Sequence, residues 1–184
     1  YICATYKSIA AIKQMLLRLS KKFGEKMTLD GYDFYTFPTP EKLAKTTESR
    51  LAACGLGYRA KYILETSKRI YENGFDIESL RKMPYQQAKK ELLSLSGVGL
   101  KVADCVLLFS IGKLDAFPVD VWVKRALLKH YAEHFPNAFI KKLSSQESLS
   151  NSVYERLNEF GRNYFGEYAG YAQEYLYHYE RMQR

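Results

Sequence analysis

Apolar residues recur at three- and four-residue intervals almost from end to end of this chain, the period of helices with one buried face. Ile9, Ile12, Met15, Leu16, Leu19 and Phe23 follow that spacing with lysines between them, and Gly24 supplies a stop. Thr39-Pro40-Glu41 reads as an N-cap, a first-turn proline and a first-turn acid, opening a short helix through Leu43. Tyr62, Ile63, Thr66 and Ile70 mark a helix from Tyr58 to Asn73, ended by Gly74. Asp76 can cap a short helix running to Met83, and Pro84 starts one whose Ala88, Leu92 and Leu95 form a face. After Gly97-Val98-Gly99 come the apolar run Val102 to Phe109, the segment Val119 to Tyr131, and two C-terminal helices. The Ser-rich stretch from Lys141 to Asn151 reads as a loop with a cap. Strand-like alternation is confined to residues 32–37, and no partner for it is evident in the pattern. The expectation is an all-α chain of roughly eight to ten helices with short connections.

Composition narrows the partners. The 184 residues suit one domain or two small lobes sharing a core, and an apolar fraction of 47% excludes a disordered polymer. Lys and Arg number 28 against 20 Asp and Glu, a net charge of +8 that suggests a polyanion and argues against a calcium-binding or acidic-ligand protein. No run approaches the roughly 18 apolar residues that span a bilayer, so no membrane partner is expected. Cys3, Cys54 and Cys105 lie far apart without a CxxC pair, which leaves no framework for disulfides, a zinc finger or an iron–sulfur cluster. A reducing intracellular compartment, cytoplasm and nucleoid or nucleus, is the expectation. His130, His134 and His178 form no convincing metal cluster, so no catalytic metal and no cofactor are expected. The chain begins at Tyr1 rather than Met, inside an apolar stretch, and an upstream segment is expected.

The most specific segment is Leu95-Ser96-Gly97-Val98-Gly99-Leu100-Lys101-Val102-Ala103-Asp104. A helix ends, two glycines make a tight hairpin, and another helix starts at once. Glycine allows positive φ and close approach of the backbone, and the N–H groups opening the second helix point toward a phosphate. A bare Gly-x-Gly between helices is also a plain connection with a glycine C-cap. The longer string, followed by Pro118-Val119-Asp120-Val121, resembles the helix–hairpin–helix base-excision DNA glycosylases, and most of all their 8-oxoguanine branch. The resemblance continues in Tyr1-Ile2-Cys3, in the wedge-like Gly55-Leu56-Gly57-Tyr58-Arg59-Ala60, in Lys101 to Cys105, and in the pocket-helix segment Tyr168-Ala169-Gly170-Tyr171-Ala172-Gln173.

That resemblance implies two helical lobes, roughly 1–95 and 96–184, with the active-site cleft between them, and a β-rich domain upstream of residue 1. It implies a monomer that acts on double-stranded DNA containing a damaged base. Lys101 would attack the sugar C1′, expel the base and form a Schiff base that undergoes β-elimination. Such an amine must be unprotonated, which burial and a neighbouring cationic helix start would favour. Asp120, 19 residues later, would stabilise charge on the sugar, and it is equally a helix cap. Tyr58 would fill the gap left by the extruded base, Arg59 would contact the opposite strand, and Gly97, Val98, Gly99 and Trp122 would meet the backbone. Cys105, Phe109, Pro118, Gln173 and Tyr177 would line the base pocket. Gln173 and Tyr177, four apart, share a helical face. Without the resemblance, Cys105 and Phe109 read as ordinary core and Tyr58 as a half-buried helix-start residue. Carbonyls of Leu93, Leu95 and Val98 would hold a structural monovalent cation.

Three positions depart from the family pattern. Tyr6 and Ala11 stand where an Asn and an Arg usually fill the gap and read the opposite cytosine, and Trp122 replaces a phosphate-contacting His. Two other readings remain open at this point. One is a monofunctional glycosylase in which Asp120 activates water and Lys101 clamps a phosphate. The other is a non-enzymatic module that binds duplex DNA through its phosphates.

Overall fold

In a computed structural model, which describes residues 1–72, 74–146 and 148–183, the chain is 70% helical. Helix α1 (Ile9–Phe23) is followed by strands β1 (Lys26–Leu29) and β2 (Tyr32–Tyr35), then α2 (Pro40–Ala44) and α3 (Glu48–Leu51). A wide turn, Ala52–Leu56, leads to α4 (Arg59–Glu72), α5 (Ile77–Lys82) and α6 (Tyr85–Leu93). Helix α7 (Leu100–Val106) runs on into the wide turn Leu107–Ile111, and α8 (Val121–His130), α9 (Asn137–Ser145), α10 (Asn151–Phe165) and α11 (Ala169–Met182) complete the chain. The all-α expectation is met, and no described helix is long and apolar enough to cross a membrane.

Local chemistry sets these boundaries. Ser8 and Thr39 cap α1 and α2 by accepting the N–H groups of Ala11 and Lys42, each at 3.3 Å. Asp76 accepts the Glu78 N–H at 2.9 Å at the start of α5. Asn73, expected to close α4, lies outside the described residues, as does Glu147 of the Ser-rich stretch.

Two expectations need correction. Residues 32–35 do have a partner, β1 immediately upstream, paired antiparallel with Met27 opposite Phe34 and Leu29 opposite Tyr32. The missed signal was Asp30-Gly31. Both residues have positive φ, 51° and 79°, as a two-residue hairpin turn of the mirror-image type requires. One hairpin face carries Met27, Leu29, Tyr32 and Phe34, all exposed, and the other carries the Lys26–Asp33 ion pair at 2.8 Å. The second correction concerns residues 141–145, which are helical. Phe139, Ile140 and Leu143 give α9 an apolar face, and Ser144 and Ser145 turn their hydroxyls back onto the carbonyls of Ile140 and Lys142.

The chain forms two compact units. The first comprises Tyr1–Ser79 with Leu93–Val98, and the second comprises Leu80–Leu92 with Gly99 onward, so the chain passes between units more than once. In the first unit Cys3, Met15, Leu19, Phe23, Leu43, Leu51, Cys54, Leu56, Ala60 and Ile63 form a continuous core. The returning segment 93–98 is fastened to α4 of the same unit, where Thr66 donates to the Ser96 carbonyl at 2.7 Å. In the second unit Phe117, Val119, Val123, Leu127, Leu143, Val153, Tyr154 and Leu157 gather α8, α9 and α10 around the segment that precedes Asp120.

Gly97 is the point at which the hairpin tolerates no other residue. Its φ is +76°, and a Cβ there would stand 2.7 Å from the Cβ of Tyr62. Gly99 has φ −93° and open space around the same position. Gly97→Ala is therefore expected to lower unfolding free energy by about 2 to 4 kcal/mol. Gly99→Ala should change it by less than about 1 kcal/mol. Urea titration of the two variants compares them directly.

Candidate active site

Lys101 is the second residue of α7, two residues beyond Gly99, the N-cap residue whose carbonyl accepts the Ala103 N–H at 2.9 Å. Its side chain is exposed, so the burial expected to favour a neutral amine is absent from the free chain. Asp120 caps α8. Its Oδ1 accepts the N–H groups of Trp122 and Val123, both at 2.9 Å, while Oδ2 bonds to none of the described residues. One carboxylate oxygen is thus fixed structurally and the other is left over, so capping and chemistry coexist in one side chain.

Cys105 lies within electrostatic reach of both groups. Burial pushes its thiol up to about 11, Lys101 opposes that rise, and Asp104 and Asp120 reinforce it. Both the lysine and the capping aspartate therefore act electrostatically on the same thiol. A thiol so raised stays protonated at neutral pH and is suited to packing rather than nucleophilic attack.

The other expected pocket residues lie in the same unit. Pro118 is buried, Phe109 is exposed, and Tyr177 is half-buried with its hydroxyl accepting from Arg181 at 2.9 Å. Gln173 is only 4% exposed, yet its Oε1 finds no hydrogen-bond donor among the described residues. A buried, unsatisfied amide oxygen is costly unless a ligand or an ordered water completes it. Helix α11 is seated closely. The Gly170 N–H donates to Leu114 O at 2.7 Å, and a Cβ on Gly170 would reach within 2.2 Å of Leu108. Glu174, which the sequence reading did not single out, has its carboxyl held above the ordinary range by burial and by repulsion from Asp120.

Beneath the site lies a polar cluster that was also missed. Asp104, 0% exposed, pairs with Lys89, 3% exposed, at 3.2 Å. Its Oδ2 accepts from Tyr154 at 2.6 Å and Asn158 at 3.1 Å, and its Oδ1 accepts from the Tyr85 hydroxyl. Lys89 also reaches Glu155 at 3.1 Å. Burial raises the Asp104 carboxyl, and the Lys89 charge and the donated hydrogen bonds oppose that rise. The hydroxyls of Tyr85 and Tyr154 are both held above their ordinary value, first by burial and then by the Asp104 charge. Spacing was the available signal: Tyr85 and Lys89, and Tyr154 and Asn158, are each four apart and flank the apolar positions of α6 and α10.

The residues expected to meet DNA divide between the units. In the first, Tyr58 is 56% exposed and stands edge-on to Tyr62 at 5.9 Å. Arg59 is 3% exposed in the free chain, with its guanidinium bonded to the carbonyls of Thr5 and Leu56 and stacked on Tyr58 at 4.4 Å. In this state it braces the wedge segment from within. Gly97 and Val98 form the turn, closed by Val98 N–H to Leu95 O at 3.2 Å. In the second unit Gly99 is exposed and Trp122 is half-buried, with Arg125 lying 4.9 Å from its ring centre. Carbonyls leaving a helix C-terminus at Leu93, Leu95 and Val98 are neutral hard-oxygen donors of the kind a monovalent cation takes. No group of three or more His, Cys, Asp or Glu among the described residues could hold a metal.

Two helices joined through a Gly-x-Gly turn, with a lysine at the start of the second, define a helix–hairpin–helix protein. Residues 2–158 match the HhH-GPD superfamily of base excision DNA repair proteins, and the chain belongs to that superfamily. It is 36% identical over 183 residues to a Methanothermobacter thermautotrophicus protein named "Probable N-glycosylase/DNA lyase", covering 89% of this chain and 53% of that one. It is 32% identical to the N-glycosylase/DNA lyase of Saccharomyces cerevisiae, covering 96% of this chain and 52% of the relative. Among solved structures it resembles the Clostridium acetobutylicum 8-oxoguanine glycosylase/lyase in complex with double-stranded DNA containing cytosine opposite 8-oxoguanine. That match has a TM-score of 0.82 and 35% identity, and covers 99% of this chain and 57% of that one. The chain spans about half the length of the curated relatives it matches.

The state of Cys105 is open to direct measurement. At pH 7.5 in the folded protein, iodoacetamide should modify it roughly 100-fold more slowly than in urea-unfolded protein. Peptide mass spectrometry with Cys105→Ser as the assignment control reads the ratio, and equal rates would contradict a protonated, buried thiol.

Proposed function

We propose that the chain carries the chemistry of a bifunctional DNA glycosylase and AP lyase, acting on oxidised purine, 8-oxoguanine, in duplex DNA. The observation that carries this reading is Lys101 at the start of α7, directly after the hairpin, together with Asp120 fixed through one carboxylate oxygen at the start of α8, in a chain of the HhH-GPD superfamily. The unsatisfied Oε1 of Gln173 supports it, because a purine edge supplies the missing N–H donor. The net charge of +8 supports a phosphate-rich partner.

The residues then divide the work. Tyr58, exposed and braced by Arg59, fills the space that the extruded nucleotide leaves. Gln173 hydrogen-bonds the extruded base, and Cys105, Phe109, Pro118 and Tyr177 bound it. The Lys101 amine forms a bond to C1′ as the C1′–N bond breaks, and the base leaves with that electron pair and gains a proton from water. Oδ2 of Asp120 faces the positive charge that develops on the sugar, while Oδ1 stays bound to the start of α8. The amine nitrogen loses one proton, and its lone pair breaks the C1′–O4′ bond; O4′ takes up a proton and the opened sugar is left as a protonated Schiff base. Removal of a C2′ proton then breaks the C3′–O bond and releases the 3′ phosphate. Attack requires a neutral amine, and since Lys101 is open to water in the free chain, the bound DNA supplies the desolvation.

Carbonyls of Leu93, Leu95 and Val98 hold a structural monovalent cation that steadies the hairpin in this reading. At Ala11 a methyl group stands in place of a guanidinium, so discrimination for the opposite cytosine is weaker than in relatives that carry Arg there.

Borohydride trapping on a duplex containing 8-oxoguanine tests the proposal. Wild-type protein should give a covalent adduct and Lys101→Ala none. Asp120→Asn keeps the cap, because Asn caps as well as Asp, and should slow base release roughly 100- to 1,000-fold. An equal adduct yield from Lys101→Ala sinks the Schiff-base mechanism. Base release that persists in Lys101→Ala without strand cleavage identifies the monofunctional route instead.

A further inference from the structure

Tyr154 and Asn158 sit one turn apart on α10, and each joins two segments of the second unit through a single side chain. The Tyr154 hydroxyl donates to Asp104 Oδ2 at 2.6 Å and accepts the Val119 N–H at 3.4 Å. The Asn158 amide nitrogen donates to the same Asp104 oxygen at 3.1 Å and to the Phe117 carbonyl at 2.8 Å. Asp104 lies three residues after Lys101 on α7, and Val119 immediately precedes Asp120. Two parallel bridges therefore tie the helix that carries the lysine to the run of chain that delivers the aspartate.

The far side of the cluster is saturated as well. The single proton of the Tyr85 hydroxyl goes to Asp104 Oδ1, although Asn158 Oδ1 stands only 3.1 Å away, and the hydroxyl oxygen accepts from Lys89 at 3.3 Å. Burying a charge in this way is a poor route to stability, since apolar residues of like volume commonly serve as well or better. Apolar packing tolerates sliding, whereas hydrogen bonds to one fixed carboxylate define distance and direction together. We infer that Tyr154 and Asn158, acting through Asp104, are positioning residues that set the separation between Lys101 and Asp120. The inference rests on the proposed function, in which these two groups act on one sugar. A displacement near 1 Å between them would cost roughly 100-fold in rate.

The test compares two reactions that need the pair unequally. Base release from 8-oxoguanine requires both groups in register. Borohydride trapping on a preformed abasic site requires the Lys101 amine and an aldehyde that is already free. Tyr154→Phe keeps the ring and removes both of its hydrogen bonds. It should slow single-turnover base release roughly 10- to 100-fold. Trapping on the preformed abasic site, and the dissociation constant for undamaged duplex, should both stay within about threefold of wild type. Asp104→Asn, which keeps the shape and loses the second acceptor site, should show the same split. Leu143→Ala, a cavity on α9 in the same core that removes no hydrogen bond to Asp104, is the control. It should lower the melting temperature and leave both rates of the folded protein unchanged.

Equal slowing of both reactions in Tyr154→Phe, or of neither, overturns the positioning role. So does a matching split in Leu143→Ala. A wild-type protein that neither releases base nor traps overturns the proposed function, and with it this inference. Normal wild-type activity with no split overturns the inference alone.

Discussion

A carboxylate cut off from water has to find its hydrogen-bond donors inside the protein, and in this chain Asp104 finds four: Lys89, Tyr85, Tyr154 and Asn158. Leaving any of them out would strand part of a buried charge, so α6, α7 and α10 must approach one another in one way only. The segment 117–119 is drawn into the same arrangement through the Phe117 carbonyl and the Val119 N–H. Much of the second unit's geometry follows from that requirement. The apolar core around Phe117 and Val123 supplies the bulk of the burial, and the carboxylate decides the register within it.

Asp120 shows how little extra structure the candidate site needs. A helix start must satisfy free N–H groups, and an aspartate does so with one oxygen. The second oxygen of a fixed carboxylate then has its direction settled at no further cost in ordering. Placing Lys101 one turn from Cys105 on α7, and Asp120 at the mouth of α8, uses two helix beginnings as mounting points, which are more rigid than loops of similar length.

Most helices were legible because their apolar spacing and caps agreed. Thr39 and Asp76 sit where their side chains can close a first turn, and they do so. The hairpin escaped because its two strands are only four residues each, and because apolar alternation across Met27 and Leu29 is indistinguishable from loop composition without its Asp-Gly turn. The helical state of residues 141–145 escaped because serines suggest a loop, while Leu143 and Ile140 decide the matter by burial. The burial of Arg59 was hidden for a related reason: charge suggests a surface, and only the fold shows the two carbonyls that its guanidinium meets. Polar residues such as Lys89 and Asn158 look like solvent-facing positions until the partner from a distant helix is known. The four-residue spacing of Tyr85 and Lys89, and of Tyr154 and Asn158, shows that each pair shares a helix face, but not which distant residue it will meet.

The protonated state of Cys105 has a consequence for the protein's durability. Peroxides attack thiolates far faster than thiols, and the first product, a sulfenic acid, can proceed to irreversible forms. A sulfur held at about 11 by burial presents almost no thiolate at neutral pH. Oxidants that act through the thiolate therefore find little to react with at Cys105, one turn along α7 from Lys101.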